Sequence, residues 1–365
     1  MILKKLKLNN FRNYRNLDIE FSPDINLISG NNGSGKTNIL EAVSIISNLK
    51  SFRQSNDSVM KMWSSDHYYC RGEAEGLEFS LFEVGFYRDM DHTKKKIKID
   101  GSEIRKVSEY YGNLITVPFI PADINIPGGS PDLKRRYIDS VISKLYPEYI
   151  DHLNRFRDIL NSRNTLLKKI KDGECESGQV DIWDRLFAEK ANLIISRRRN
   201  FMEFFSDIFQ NSYKAISGES DPPYIKYRPS MEDNSVDYIY GQLKRIFLSD
   251  IRKGNTGYGP QRDDYVFLNN EGINFLDYAS QGQRRTAAIS LKIAEYEIIK
   301  KIRNKKSIIL IDDIFSELDE KRRLNMIDLL IKEGQLILTM VNKEIFSFDK
   351  SFPTRFFHVD NGNII

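Results

Sequence analysis

Few residues of this chain could bind a metal through sulfur or imidazole. It has two cysteines, Cys70 and Cys175, and four histidines that are scattered along the sequence. Two isolated cysteines form at most one disulfide bond, and neither residue type shows the close spacing of zinc ligands. The sequence therefore does not predict a zinc site.

A long apolar run is also absent. No stretch of about 18 apolar residues is present that could span a bilayer. Residues 1–14, MILKKLKLNNFRNY, interrupt their apolar residues with lysine instead of forming the apolar centre of a signal peptide. We therefore expect a cytoplasmic protein with no membrane partner. A hydrophobic content of 40% over 365 residues suits a globular chain of one large domain or two moderate ones.

Neither sign of charge dominates. The chain has 55 Lys and Arg against 51 Asp and Glu, a net charge of +4, and its pI is 8.7. This balance permits a polyanionic partner without requiring one. Each local basic run is by itself also typical of a solvated helix or strand face. The basic runs lie at residues 94–98, 134–136, 168–171, 197–199 and 284–285.

Residues 28–42, ISGNNGSGKTNILEA, have the spacing of a phosphate-binding loop, G-x-x-x-x-G-K-[ST]. Apolar residues at 25, 27 and 28 predict a strand before the loop, and helical spacing predicts a helix over residues 37–49. Loop N–H groups would surround phosphate oxygens, Lys36 would neutralise the terminal phosphates, and the Thr37 hydroxyl would reach Mg²⁺. The predicted nucleotide-binding residues here are Gly30, Asn31, Asn32, Gly33, Ser34, Gly35, Lys36, Thr37 and Asn38.

Residues 307–319, SIILIDDIFSELD, predict the acidic strand that such a loop requires. The apolar residues 308–311 suit a strand buried on both faces of a parallel sheet, with Asp312 and Asp313 at its carboxyl edge. Asp312 would hold Mg²⁺, and Asp313 would orient or deprotonate an attacking water. Alternatively, Ser316 and Asp319 form a capping pattern for a helix over residues 317–332.

A third motif begins at residue 278, YASQGQRRTAAISLKIAEYEIIKKI. Ser280, Gly282 and Gln283 open a long amphipathic helix. By itself Ser280 could be an N-cap and nothing more. A hydroxyl and free N–H groups at a helix start also form an anion site, and this one precedes the acidic strand.

The loop and the acidic strand lie near opposite ends of the sequence, which implies inserted material between them. Residues 68–104 alternate apolar and polar residues around an Asp100-Gly101 hairpin signal, and so predict a β-rich lobe. Helical periodicity without sustained heptads dominates residues 130–253 and predicts a helical arm.

Several blocks in order resemble the RecF family of bacterial recombination mediators, which are related to the SMC proteins and the ABC ATPases. The resemblance covers nearly the whole chain and is more specific than a phosphate loop. The blocks are NNFRNY at 9–14, GNNGSGKTNILEA at 30–42, SPDLKRRYID at 130–139, GPQRDD at 259–264, ASQGQRRT at 279–286 and IDDIFSELD at 311–319.

This resemblance implies an α/β fold, an ABC-type ATPase head with a P-loop and a mixed sheet, which carries a β-rich lobe and an inserted helical arm. Residues 1–125 would form the N-terminal part of the head with the phosphate loop and the lobe. Residues 126–253 would form the arm domain. Residues 254–365 would form the C-terminal part of the head with the signature motif and the acidic strand.

The resemblance also implies a dimer that traps two ATP molecules between protomers. The signature residues Ser280, Gly282 and Gln283 would face the nucleotide of the partner protomer. Arg12 would touch the phosphates, and residues 316–319 would communicate across the dimer. The implied catalytic residues are Lys36, Asp312 and Asp313, and the implied Mg²⁺ ligands are Thr37 and Asp312.

Two residues depart from what related proteins carry. Gln261 stands where the family commonly has histidine, and we assign it no chemistry. Thr339, in the predicted strand QLILT, stands where ABC transporters carry a switch histidine, which implies slow hydrolysis.

The function implied by the resemblance is ATP-dependent DNA binding in recombinational repair. The protein would be a weak, DNA-stimulated and dimer-dependent ATPase associated with the nucleoid. It would bind gapped or junction DNA and, with RecO and RecR, help to load RecA. Candidate DNA-phosphate contacts are Lys134, Arg135, Arg136, Arg197, Arg198 and Arg199.

Three other functions would also use a phosphate loop or this fold. The soluble subunit of a transport ABC ATPase would need a membrane partner and usually a compact cassette. A GTP-binding switch would need N-K-x-D, but Asn342 and Lys343 are followed by Glu344 and Ile345, so that pattern fails. An ATP-gated DNA-binding module with negligible turnover keeps the fold and makes hydrolysis irrelevant.

Overall fold

The computed structural model describes residues 1–53, 56–89, 92–313, 320–331, 333–340 and 353–365. They form two compact units, one of residues 1–124, 212–218 and 280–365 and one of residues 125–211 and 219–279. The strands are β1 (Ile2–Phe11), β2 (Tyr14–Glu20), β3 (Ile25–Ser29), β4 (His67–Glu75), β5 (Leu81–Asp89), β6 (His92–Ile99), β7 (Ser102–Glu103), β8 (Thr116–Phe119), β9 (Tyr224–Arg228), β10 (Asp264–Leu268), β11 (Ile308–Asp312), β12 (Leu336–Met340), β13 (Thr354–Asp360) and β14 (Asn363–Ile364). The α-helices are α1 (Lys36–Asn48), α2 (Val107–Tyr110), α3 (Pro131–Leu145), α4 (Glu148–Lys171), α5 (Asp181–Ser217), α6 (Val236–Lys253), α7 (Gln281–Arg303) and α8 (Glu320–Leu330).

A mixed six-stranded sheet in the first unit has the order β14-β13-β3-β12-β11-β8. Strands β13, β3, β12, β11 and β8 pair in parallel, whereas β14 is antiparallel to β13. Strands β3, β11 and β12 are buried along their whole lengths, which is the burial expected of inner strands covered on both faces. The predicted strand at 308–311 is confirmed as β11.

An antiparallel sheet of order β2-β1-β4-β5-β6-β7 forms the predicted β-rich lobe and also includes the first two strands of the chain. Asp100 and Gly101 connect β6 to β7 with positive φ angles of 47° and 82°, as a type I′ hairpin turn requires. Helix α1 packs against this sheet so closely that a Cβ on Gly72 of β4 would lie 2.3 Å from Ile46 Cδ1. The helix and the lobe therefore share one hydrophobic core.

The second unit contains helices α3, α4 and α6, most of α5, and the antiparallel pair β9 and β10. Its interior includes ion pairs. The fully buried guanidinium of Arg163 lies 2.7 Å from Asp184 and 2.8 Å from Asp250. No helix in the described parts of the chain is both long enough and apolar enough to cross a membrane.

The unit boundary differs from the predicted one at residue 253. Residues 254–279 pack with the second unit because β10 pairs with β9 instead of joining the head. Two partners so far apart in sequence leave no periodic signal of their pairing. Helix α8 lies within the predicted helix over residues 317–332, whereas residues 316–319 lie outside the described residues.

Candidate nucleotide site

The turn from β3 into α1 carries the phosphate-loop motif at the carboxyl edge of the parallel sheet. Gly30, Gly33 and Gly35 have φ angles of 151°, 81° and 119°, conformations that a residue with a Cβ rarely adopts. Gly30 also has no room for a side chain, because an added Cβ would lie 2.2 Å from the Val359 carbonyl oxygen. The loop therefore requires glycine at these positions, because a residue with a side chain would be strained there.

A cavity of about 280 Å³ lies against this loop. Lys36 is 7% exposed, and its ammonium donates hydrogen bonds of 2.8 Å to the carbonyl oxygens of Gly30 and Asn31. Burial lowers the pKa of Lys36, and Asp313 and Asp312 oppose that shift. The cavity is lined by Asn32, Gly33, Gly35, Lys36, Thr37, Asn38, Arg53, Asp312, Asp313 and Thr339.

The acidic strand meets the loop at Asp312. The Thr37 hydroxyl donates to Asp312 Oδ1 at 2.8 Å, although the two residues are 275 positions apart. Thr339 of the neighbouring strand β12 lies opposite Asp312 in register and donates to the same oxygen at 2.9 Å. Asp313 follows with a φ of 46° and also lines the cavity. The structure therefore assembles hydroxyl and carboxylate oxygens beside the lysine.

Arg12 is directed to helix α1. Its guanidinium donates to the two carboxylate oxygens of buried Glu41 at 2.9 and 2.6 Å and to the Val59 carbonyl at 2.8 Å. It is not among the residues that line the cavity. The structure thus gives Arg12 a carboxylate partner on the helix that follows the loop, and its contact with the phosphates stays a prediction.

Arg53 also lines the cavity, although it was not predicted from the sequence as a site residue. Its side chain is 48% exposed, and NH1 donates to Asn38 Oδ1 at 3.1 Å and lies 3.9 Å from Glu41. An arginine outside any motif gives no sequence signal, and only its position after helix α1 places it here.

The signature motif begins helix α7 as predicted. The Ser280 hydroxyl accepts a hydrogen bond from the Gln283 N–H at 3.2 Å, and the Gln283 side chain accepts one from the Ser280 N–H at 3.0 Å. This reciprocal pair is a capping box. Ser280 is exposed, Gly282 faces the Arg322 guanidinium, and neither residue lines the cavity.

Two of the candidate DNA contacts do not fit a phosphate-binding role. Lys134 is 8% exposed, donates to the Tyr265 carbonyl at 2.6 Å and pairs with Asp264 at 2.7 Å. Arg198 is 3% exposed and pairs with Asp139 and Asp263. A phosphate could reach either of these covered cations only by displacing its carboxylate partners, so we correct these two predictions.

The other four candidates differ in exposure. Arg135 is mostly covered and donates to the Asp263 carbonyl at 2.6 Å, and Arg199 donates to Asn234 and to the Glu232 carbonyl. Arg197 stacks over Tyr146 at 4.2 Å, and Arg136 is 72% exposed and pairs with Asp132. Gln261 donates to the Tyr258 carbonyl at 2.9 Å in the second unit.

The phosphate loop, the adjoining acidic strand and the helix with its S-x-G-Q start define an ABC-type ATPase head. The family model described as RecF/RecN/SMC N terminal domain matches residues 2–363. A curated relative from Ruminiclostridium cellulolyticum, named DNA replication and repair protein RecF, is 37% identical over 376 residues, which is 100% of this chain and 99% of the relative. A relative of the same name from Leptospira interrogans is 36% identical over 345 residues, covering 94% of this chain and 93% of the relative.

Solved structures agree with these relatives. One described as the recombination mediator protein RecF-ATP in the RecFOR pathway has a TM-score of 0.90 and 30% identity, covering 100% of this chain and 97% of that one. An SMC head bound to a ScpA winged-helix domain has a TM-score of 0.57 at 16% identity, covering 100% of this chain and 96% of that one, and shares the fold. The chain belongs to the RecF family of DNA replication and repair proteins.

Proposed function

We propose that this protein binds ATP with Mg²⁺ between two protomers, closes on gapped or junction DNA, and opens after slow hydrolysis. The observation that carries the proposal is the 2.8 Å bond from Thr37 to Asp312, which joins the loop to the acidic strand beside Lys36. A buried lysine, a hydroxyl and a carboxylate in contact are the groups that phosphoryl transfer requires.

The residues present fit a magnesium nucleotide. Ser34 Oγ is buried and has no hydrogen-bond partner in the described part of the chain, so it is available to a ligand oxygen. The oxygens of Thr37 and Asp312 are hard donors of the kind that Mg²⁺ takes together with substrate phosphates. These two residues would hold the ion, which supplies neutralisation of developing phosphate charge. Lys36 would bind the terminal phosphates, and Arg53 offers a further cation at the rim of the cavity.

Asp313 is the residue that we assign to the attacking water. It would orient the water and accept its proton while oxygen adds to the γ-phosphorus and the bond to the bridging oxygen breaks, yielding ADP and phosphate. The Thr339 hydroxyl donates to Asp312, so it stabilises the acidic strand and contributes no base of its own. This arrangement favours slow turnover.

Dimerisation would complete the site. Ser280 is exposed at the start of the 23-residue helix α7, where the first-turn N–H groups and the helix dipole attract an anion. We assign Ser280, Gly282 and Gln283 to the γ-phosphate held by the partner protomer. ATP should therefore stabilise a dimer, and ADP should not.

Sedimentation velocity tests this assignment. The unmodified protein should dimerise with ATP and remain monomeric with ADP. Lys36→Ala should remain monomeric with both nucleotides, because it lacks the ammonium that binds the terminal phosphates. Ser280→Arg should bind ATP with unchanged affinity yet fail to dimerise. A Ser280→Arg dimer fraction equal to that of the unmodified protein would reject the composite site.

Membership of the RecF family supports DNA as the polyanionic partner and RecO, RecR and the loading of RecA as the pathway. We assign DNA-phosphate contact to Arg136, which is exposed, and to Arg197, which is partly exposed. No base-reading motif is visible in the sequence, so DNA shape would be recognised in preference to base sequence.

A second candidate function follows from Thr339. If its bond to Asp312 leaves hydrolysis negligible, ATP acts only as a structural ligand of a DNA-binding module. Steady-state phosphate release with and without gapped duplex separates the two. Release that DNA accelerates, and that Asp313→Asn slows without weakening ATP binding, supports the ATPase, whereas no release in either condition supports the module.

A further inference from the structure

Two turns outside the cavity lining hold the backbone of the phosphate loop. The carbonyl oxygen of Ser34 accepts hydrogen bonds from Asn13 Nδ2 at 2.9 Å and from the Gly362 N–H at 3.1 Å. The carbonyl oxygen of Gly35 accepts one from the Tyr14 hydroxyl at 3.0 Å and one from the Asn38 N–H at 3.0 Å. Asn13 and Tyr14 lie where β1 turns into β2, and Gly362 lies between β13 and β14.

These bonds control the direction of the loop N–H groups. A carbonyl and the N–H of the next residue share one planar trans peptide and point in opposite directions. Fixing the Ser34 carbonyl toward the turns therefore points the Gly35 N–H away from them, and fixing the Gly35 carbonyl does the same for the Lys36 N–H. Gly35 and Lys36 both line the cavity.

The loop needs such support because its glycines allow many backbone conformations. Gly35 has a φ of 119°, and without a Cβ it could rotate its N–H at little cost. Tyr14 is fully buried, so its ring is held in place, and burial raises the pKa of its phenol, which keeps the hydroxyl protonated as a donor. Asn13 is held in turn by Asn38, whose Nδ2 donates to Asn13 Oδ1 at 2.8 Å.

We propose that Asn13 and Tyr14 are positioning residues for the nucleotide, which aim the Gly35 and Lys36 N–H groups at its phosphates through the loop carbonyls. The proposal rests on the phosphate-binding role proposed above. The conformation of the phosphate loop would then depend on two side chains of the turn between β1 and β2.

Tyr14→Phe tests the proposal because it removes one hydroxyl and leaves the ring. Tyr110→Phe is a matched control, since Tyr110 is equally buried and donates to the Ile46 carbonyl at 2.5 Å at the other end of helix α1. Both variants lose one hydrogen bond from a buried tyrosine to a carbonyl, so their melting temperatures should fall by similar amounts. Only Tyr14→Phe should weaken nucleotide binding.

The expected loss of affinity in titration calorimetry is about threefold to about tenfold, the range of one neutral hydrogen bond. It should be equal for ATP and ADP, because loop N–H groups cradle the phosphates that both nucleotides carry. Asn13 lies in an exposed turn. Asn13→Ala should also lose affinity equally for ATP and ADP, which keeps the test available if Tyr14→Phe folds poorly.

The outcomes separate this proposal from the proposed function. If the unmodified protein binds no ATP, the nucleotide site itself is wrong. If it binds ATP and both variants match the Tyr110→Phe control, Asn13 and Tyr14 do not position the loop. A loss confined to ATP would also overturn the proposal, because it would point to the γ-phosphate instead of the loop.

Discussion

Glu41 shows how one residue can determine the surroundings of a site without touching a ligand. Its carboxylate is fully buried on helix α1 and receives the Arg12 guanidinium at 2.9 and 2.6 Å and the Ser51 hydroxyl at 2.5 Å. Arg12 thereby ties the turn before β2 to the helix that follows the phosphate loop. A charge in this position is stable only while it is paired.

Replacing Glu41 should therefore destabilise the protein strongly. Glu41→Ala leaves the Arg12 cation without its carboxylate, and we expect a loss of about 3–5 kcal/mol in the free energy of unfolding. Glu20→Ala is the control, because Glu20 is 63% exposed and pairs with Lys5 only at 3.5 Å; its effect should stay within about 0.5 kcal/mol. Urea unfolding measures both, and equal stabilities would show that Glu41 anchors nothing.

Single residues were predictable where a motif fixes local geometry. The positions of Gly30, Lys36 and Asp312 follow from the phosphate-loop motif and the acidic strand, because a loop that directly follows a strand restricts where each side chain can lie. The burial and the partners of Arg12 and Arg198 were not predictable, because they depend on distant segments; the contact of Arg12 with the phosphates stays a prediction. The sequence alone does not distinguish a basic residue that faces solvent from one that pairs with a buried aspartate.

Helix α7 owes its first turn to the reciprocal bonds of Ser280 and Gln283. In the absence of nucleotide Ser280→Ala should lower stability by about 1 kcal/mol, because it removes the acceptor for the Gln283 N–H. Ser235 is the matched control, since it precedes helix α6 but makes no side-chain bond to the helix start. Thermal unfolding measures both, and a Ser280→Ala loss no greater than that of Ser235→Ala would contradict the cap.

Elements with a local period were predicted well. Helix α1 begins and ends within a residue of the predicted range 37–49, and β11 follows the apolar run at 308–311. Pairings between distant segments were not predictable. The parallel contact of β13 with β3 joins residues 354–358 to residues 25–29, and no pattern in either segment names its partner.

At the scale of the whole molecule, DNA binding should depend on salt and on exposed arginines only. The logarithm of affinity should fall with the logarithm of salt by about 0.9 for each phosphate neutralised. Arg136→Ala should make that slope shallower by about 0.9, the contribution of one phosphate. It should change the free energy of unfolding by no more than about 0.5 kcal/mol, because the Arg136 side chain is 72% exposed.

Arg198→Ala provides the contrast, because it should cost about 3–5 kcal/mol of stability by leaving Asp139 and Asp263 unpaired in the second unit. Fluorescence anisotropy across a salt series and urea unfolding give the two readings. A flat salt series for the unmodified protein would argue against phosphate contact. A stable Arg198→Ala variant with a reduced slope would restore Arg198 as a DNA ligand.

The turn at Gly362 has a consequence for biosynthesis. The ribosome makes the loop that it steadies before it makes the acidic strand, 275 positions later in the Thr37–Asp312 contact, and before it makes Gly362. A growing chain therefore carries its phosphate motif with neither Asp312 nor the Gly362 amide to support it until both segments have been made. Nucleotide capture should report that the loop, the acidic strand and the Gly362 turn have folded together.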